Sequence, residues 1–94
     1  MAQTNHVVRS WCHLFEAMAS GEKTHDLRRN DRHYQVGDTL DLQEYDIRFG
    51  RPTGRSLRMQ ITYITGRDEG HHPCAVSSAV LDPEYVILSV RKFP

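Results

Sequence analysis

No run of residues in this 94-residue chain is apolar for long enough to span a membrane, and the opening MAQTNHVVRS lacks the apolar core of a secretory signal. Cysteine is scarce too: Cys12 and Cys74 are too few for a disulfide scaffold. A cytoplasmic chain with reduced thiols is therefore expected. No phosphate-cradling Gly-rich loop and no dinucleotide fingerprint occurs, so the commonest nucleotide folds are without their motif. Net charge is missing as well, with twelve Lys plus Arg against twelve Asp plus Glu, which argues against strong nonspecific binding to duplexes. One domain spanning 1–94 is expected, because two cores in so short a chain would each approach the size at which burial barely offsets chain entropy. We expect a monomer.

What is present is charge in unusual places. From Arg48 to Arg67 the chain carries Arg48, Arg51, Arg55, Arg58 and Arg67 without an acid, and arginine outnumbers lysine ten to two. Its planar donor fork suits bidentate recognition of phosphate or carboxylate. Gly21 to Arg32, GEKTHDLRRNDR, is denser still, with four cations, three acids, a histidine and a threonine around one large aliphatic residue, Leu27. That composition marks a surface for an anionic or hydrogen-bonding ligand.

Periodicity supplies the framework. His6 to Arg9 reads as a first strand. Trp11, Leu14, Phe15, Met18 and Ala19 recur at spacings of three and four, which predicts a helix with Ser10 as its cap and Ser20-Gly21 as its stop. Trp11 also lies near enough to the first strand to close one wall of a cleft. In an extended His25–Arg28, Lys23, His25 and Leu27 share one face and Thr24, Asp26 and Arg28 the other, with Leu27 directed to the core. A turn at Lys23 would bring it beside Asp26 and Arg28. Asn30-Asp31 and Gly37-Asp38 are turn signals, with Gly37 a backbone requirement. Thr39–Asp46 predicts a strand burying Leu40, Leu42 and Tyr45, with a slip near Gln43-Glu44 that suggests a bulge. Phe49–Ser56 reads as a basic hairpin connection, Leu57–Thr65 and Tyr85–Arg91 as strands, Gly66–Pro73 as a loop and Cys74–Leu81 as a short helix. The fold class is α+β, mainly β: a small curved sheet or partly closed barrel of five to six strands, with one principal N-terminal helix packed against it.

Taken in order, HVVRSW, LFEAMASGEKTHDLRRNDRHYQVGDTLDLQEYD, PTGR and YVILSVR resemble the ASCH domain superfamily, and most closely a small bacterial and phage branch of it. The resemblance is strongest at Gly21-Glu22-Lys23-Thr24, Arg28, Asn30-Asp31-Arg32 and Gly37-Asp38. It implies a PUA-like β-barrel, a helix-flanked cleft, and RNA or nucleotide-like ligands. Small amidohydrolases of that superfamily act on acetylated cytidine with a lysine, a threonine and a glutamate; their Gly-x-Lys-Thr segment aligns with Gly21–Thr24 and assigns the lysine role to Lys23. Their catalytic threonine is replaced here by Asp26.

The ligand-binding candidates are thus Lys23, Thr24, Asp26, Arg28, Arg32, Trp11 and Arg55, and the catalytic candidates Lys23, Asp26 and Glu84. In a binding module, Lys23 and the arginines would neutralise phosphate, an aromatic ring among Tyr34, Tyr45, Phe49, Tyr63 and Trp11 would stack on a base, and Asp26 would read hydrogen-bonding edges. In a hydrolase of acylated nucleosides, Asp26 or Glu84 would act as general base on water. In a protein adaptor, the arginine hairpin would meet an acidic partner. As plain structure, Asp26 would pair with Arg28 or Arg32, and Arg32 with Asp26 or Glu16. His71, His72 and Cys74 lack metal-ligand spacing, and neither a metal nor a cofactor is expected.

Overall fold

Strict alternation of inward and outward residues makes Asn5–Trp11 the first strand, β1, with His6, Val8 and Ser10 buried and Val7, Arg9 and Trp11 outside. The chain is represented by a computed structural model that describes residues 3–66 and 81–93. The helix α1, Cys12–Ser20, starts directly where β1 ends. Trp11 is therefore its cap residue and not part of its stripe, and Ser10 is a buried strand residue that makes no cap. Phe15 and Met18 are the side chains α1 buries in the core, and Gly21 ends it in the left-handed conformation at φ 86°. Three further elements follow, β2 (His25–Arg29), β3 (Thr39–Asp46) and β4 (Arg51–Thr65), before β5 (Tyr85–Lys92).

These strands form one mixed sheet in the order β1-β3-β4-β5-β2, with β1 and β3 parallel and the remaining pairs antiparallel. The sheet curls into a half-barrel around Val8, Tyr34, Leu40, Leu42, Met59, Ile61, Val86, Leu88 and Val90, and α1 covers it. Two register shifts, between Gln43 and Tyr45 in β3 and between Ile61 and Tyr63 in β4, let the strands bend. The first leaves the alternation of Leu40 and Leu42 intact: Glu44 is buried where Tyr45 was expected, and Tyr45 is half-exposed. The second leaves Tyr63 outside and packs Ile64 against the core. The hairpin is tighter than its sequence suggests. Residues 47–50 turn, and β4 begins at Arg51 instead of Leu57, with Pro52 opposite Tyr45. Leu27, expected inside, is 57 % exposed; Asp26 and Arg28 take the inward face, for a reason that lies at the site. The expected helix over Cys74–Leu81 and most of the expected Gly66–Pro73 loop lie outside the described residues.

A buried polar knot ties β1 to the start of β3. Asp38 accepts hydrogen bonds from Thr4 N at 3.1 Å and Gln35 N at 3.0 Å, and its Oδ2 is hydrogen-bonded to His6 Nε2 at 2.9 Å. The His6 ring meets Tyr34 edge-on, with centroids 4.7 Å apart. Gly37, at φ 98°, donates its N–H to Ile61 O, so the turn at Gly37-Asp38 is anchored to β4. Burial alone would push the Asp38 carboxyl up, but the His6 hydrogen bond and the two backbone donors outweigh it and hold the pKa below its ordinary value. A depressed folded-state pKa contributes stability that is present above the unfolded value and lost as pH falls through the folded one. Thermal melts from pH 6 down to pH 2 should therefore show wild-type stability declining below about pH 4, with a shallower decline in Asp38→Asn. Equal slopes would show that Asp38 is not the titrating anchor.

Candidate functional site

The sheet has two free edges, one on β1 and one on β2, and its curl turns them towards each other. They do not pair as strands. Arginine side chains cross the gap: Arg28 Nη2 donates to Arg9 O at 2.6 Å, and Arg32 Nη1 donates to Val7 O at 2.9 Å. Each bridge satisfies an edge carbonyl that a paired strand would otherwise meet, which the side chain of Leu27 could not do. Arg28 is held for the task by Asp26, whose Oδ2 accepts its Nε–H at 2.7 Å. Asp26 is 7 % exposed and would be a costly charge without that partner. Lys23 Nζ stands 3.8 Å from Asp26 Oδ1 and donates to His25 O.

Along the seam lies a cleft of about 670 Å³ lined by Val7, Arg9, Trp11, Leu14, Asp26, Leu27, Arg28, Arg32 and Gln43, among others. A smaller hollow of about 280 Å³, reaching Arg29, Asp31 and Tyr34, shares Val8, Leu27, Arg28 and Arg32 with it. The arginine bridges thus cross one continuous trough. Its lips are apolar and accessible, with Val7 47 %, Trp11 38 % and Leu27 57 % exposed, and its cross-pieces are cationic. Arg9 stacks on Tyr45 at 4.4 Å from the ring centroid, and Tyr45 in turn touches Trp11 at 5.7 Å between centroids. Among the described residues, neither Arg9 nor Arg32 forms an ion pair. Arg28 and Arg32 also retain guanidinium donors beyond those spent on the bridges.

Of the sequence candidates, Trp11, Asp26, Arg28 and Arg32 meet in the cleft. Lys23 joins them from behind, because β2 starts only at His25 and the preceding turn lets Lys23 approach the same carboxylate. Lys23 and Thr24 do not line the cleft, and the Thr24 carbonyl is engaged by Val90 N. Arg32 reaches Val7 O and neither Asp26 nor Glu16. Arg55 serves another region: it pairs with Glu16 at 2.6 Å, lies 3.7 Å from buried Glu44, and covers the Phe15 ring, so it fastens α1 to β3 and β4. Glu84 sits in the turn before β5, where its carbonyl accepts Asn30 N–H, and it lines neither hollow. The Cys12 thiol donates to Tyr45 O, and burial, Glu44 and Asp46 raise its pKa, which disfavours a thiolate nucleophile. Among the described residues no three His, Cys, Asp or Glu side chains gather as metal ligands; His71, His72 and Cys74 lie outside them. Sequence reasoning missed Arg9, Val7 and Gln43 as cleft residues. Alternation in HVVRSW carried the signal for the first two, since Val7, Arg9 and Trp11 share one strand face.

A small, mainly β half-barrel with one helix and a cationic seam between its free edges is the class that fold and site define. Over residues 5–90 the chain matches the family described as "Domain of unknown function (DUF3850)", and it belongs to that family. This corrects the resemblance to the ASCH superfamily, from which DUF3850 is distinct, and the lysine-threonine-glutamate amidohydrolase machinery loses its warrant with it. The chain is also 37 % identical over 60 residues to the "Uncharacterized 12.9 kDa protein in GpA 3'region" of Escherichia phage P2. That alignment covers 64 % of this chain and 53 % of the relative, so the chain spans about half the relative's length. Among the described residues no helix is long and apolar enough to cross a membrane.

If Arg28 closes the seam, Arg28→Ala removes two charge-assisted hydrogen bonds and leaves Asp26 with the more distant Lys23, at 3.8 Å, as its cation. Chemical denaturation should then show a loss of about 2–3 kcal/mol, partly recovered by adding Asp26→Asn. A loss no greater than about 0.5 kcal/mol, the size of an ordinary surface substitution, would assign the closure elsewhere.

Proposed function

We propose that this chain is a binding module for RNA or a nucleotide and that the ligand occupies the β1–β2 trough. The observation that carries this reading is the amphipathic make-up of the trough: accessible Trp11, Val7 and Leu27 at the lips, with Arg9, Arg28 and Arg32 between them and Asp26 already paired to one of the three. A nucleotide has the matching halves. Its base would stack on Trp11 and pack on the aliphatic lips, while its phosphate would take the donors that the guanidinium groups retain. Arginine serves better than lysine here, because each guanidinium can bridge a carbonyl and still present an N–H to a second acceptor. The reading requires no turnover.

A protein partner is the second reading, and a different observation favours it. Ile47 and Phe49 at the β3–β4 turn are 67 % and 66 % exposed beside Arg48 and Arg51, an apolar tip ringed by positive charge that an acidic partner would complement.

Trp11 is the chain's single tryptophan, so its fluorescence reports on the trough directly. Titration with short single-stranded RNA and with mononucleotides should quench it, with an affinity that falls as salt rises and weakens about tenfold in Arg32→Ala. A signal unmoved by either ligand, together with unchanged amide shifts at Arg9, Arg28 and Arg32, would overturn the proposal.

A further inference from the structure

Beyond the residues that line the trough, contacts between rings and cations continue past Trp11. Arg9 lies over Tyr45, Trp11 tilts against the same ring, and the Tyr45 hydroxyl reaches the β3–β4 turn, 3.9 Å from where a side chain on Gly50 would begin. Next to Gly50 stands Phe49, 66 % exposed, with Arg48 at 5.6 Å and Arg51 at 5.8 Å from its ring centroid. Asp46 holds this tip in shape by accepting the backbone N–H of Arg48 at 2.9 Å and Gly50 N–H through its carbonyl at 2.8 Å, and its carboxylate also pairs with the Arg48 guanidinium at 3.4 Å, so Arg51 is the tip cation without an ion pair among the described residues. Three guanidinium groups, Arg32, Arg28 and Arg9, are thus followed by the rings of Tyr45 and Trp11, and beyond these stands Phe49 with Arg48 and Arg51 beside it.

From this succession of cations and rings we infer that the ligand is a polymer: a single strand of RNA that lies in the trough and runs over Tyr45 onto the hairpin tip. The inference rests on the trough being the nucleotide site, and adds the hairpin as a second contact on the same strand. Length supports it. Val7 to Trp11 spans about 13 Å of extended chain, room for roughly four stacked nucleotides at about 3.4 Å each, and the tip lies beyond. Cations along a groove together with accessible rings are what a sequence-tolerant strand requires, because every base offers a π-face and every linkage a charge. A free nucleotide would use only one end of such a track and leave Phe49 without a role.

The test compares uridine homopolymers of about three and about eight nucleotides at one salt concentration by fluorescence anisotropy, with Trp11 quenching in parallel. The longer RNA should bind at least about tenfold more tightly, and the difference should shrink towards unity in Phe49→Ala and in Arg51→Ala, both at exposed positions that the fold tolerates. Equal affinity for the two lengths, with Trp11 quenched by both, overturns the track and leaves the trough as a nucleotide site. Binding of neither RNA overturns the track and the trough reading together. If the longer RNA's affinity is indifferent to Phe49→Ala and Arg51→Ala while a nuclease-resistant protein is captured only by the wild-type tip, the hairpin belongs to a protein and the track is wrong.

Discussion

Two strand edges that face each other without pairing set the terms for everything else in this structure. Among the described residues β1 and β2 each have a strand neighbour on one side only, and the curl of the sheet leaves their other sides opposed across a gap. Free edges invite association with other chains, and natural proteins answer with bends, short strands and inward charges. All three occur here. β2 is only five residues long, β3 and β4 carry register shifts, and Asp26 and Arg28 point inward. The bridges from Arg28 and Arg32 to the β1 carbonyls then do the work of a missing ladder. The cleft is the space that side-chain closure leaves and that backbone closure would have filled.

Charge here acts locally, and the net balance of zero hides it. The arginines divide into groups with separate duties. Arg28 is neutralised by Asp26 and belongs to the fold as much as to the surface. Arg55 fastens the helix through Glu16 and Glu44, while Arg91 is bound to Gln60. Among the described residues Arg9 meets the Tyr45 ring and Arg32 the Val7 carbonyl, and neither is paired to a carboxylate. Exposed ion pairs contribute about 0–1 kcal/mol and say little about design. The informative cations are those beside accessible apolar surface and without a carboxylate among the described residues: Arg9 and Arg32 along the seam, and Arg51 at the hairpin.

Some of this was legible in the sequence because the relevant physics is local. The αL stop at Gly21, the turn at Gly37-Asp38 and the bulge after Gln43 each depend on a few neighbouring residues, and each was readable from them. The span of β3 and the central position of β5 followed from alternation and apolar density. Leu27 failed for an instructive reason. Alternation separates Leu27 from Asp26 and Arg28, but only the position of β2 at an edge decides which set faces inward, and edge position is a long-range property. Tyr45 failed because the slip near Gln43-Glu44 was expected to turn it inward, whereas the inward alternation of Leu40 and Leu42 continues to Glu44 and leaves Tyr45 half-exposed. Trp11 fitted both the strand's period and the helix's, and the absence of any connecting turn between β1 and α1 assigned it to the strand face.

A seam closed by apolar side chains would hold the edges together more cheaply, because burying an ion pair seldom gains net stability over a well-packed hydrophobic substitute. Keeping Asp26 and Arg28 in that position therefore needs a reason beyond folding. Satisfying edge carbonyls is one, since a leucine cannot donate to them. That reason does not extend to Arg9, whose guanidinium closes nothing and lies on Tyr45 at the point where the trough opens towards the hairpin. A cation over an exposed ring contributes only about 0.5–1 kcal/mol to the fold. Its position is better accounted for by what the ring and the cation offer together: one flat apolar face and one positive charge, side by side, on the path out of the cleft.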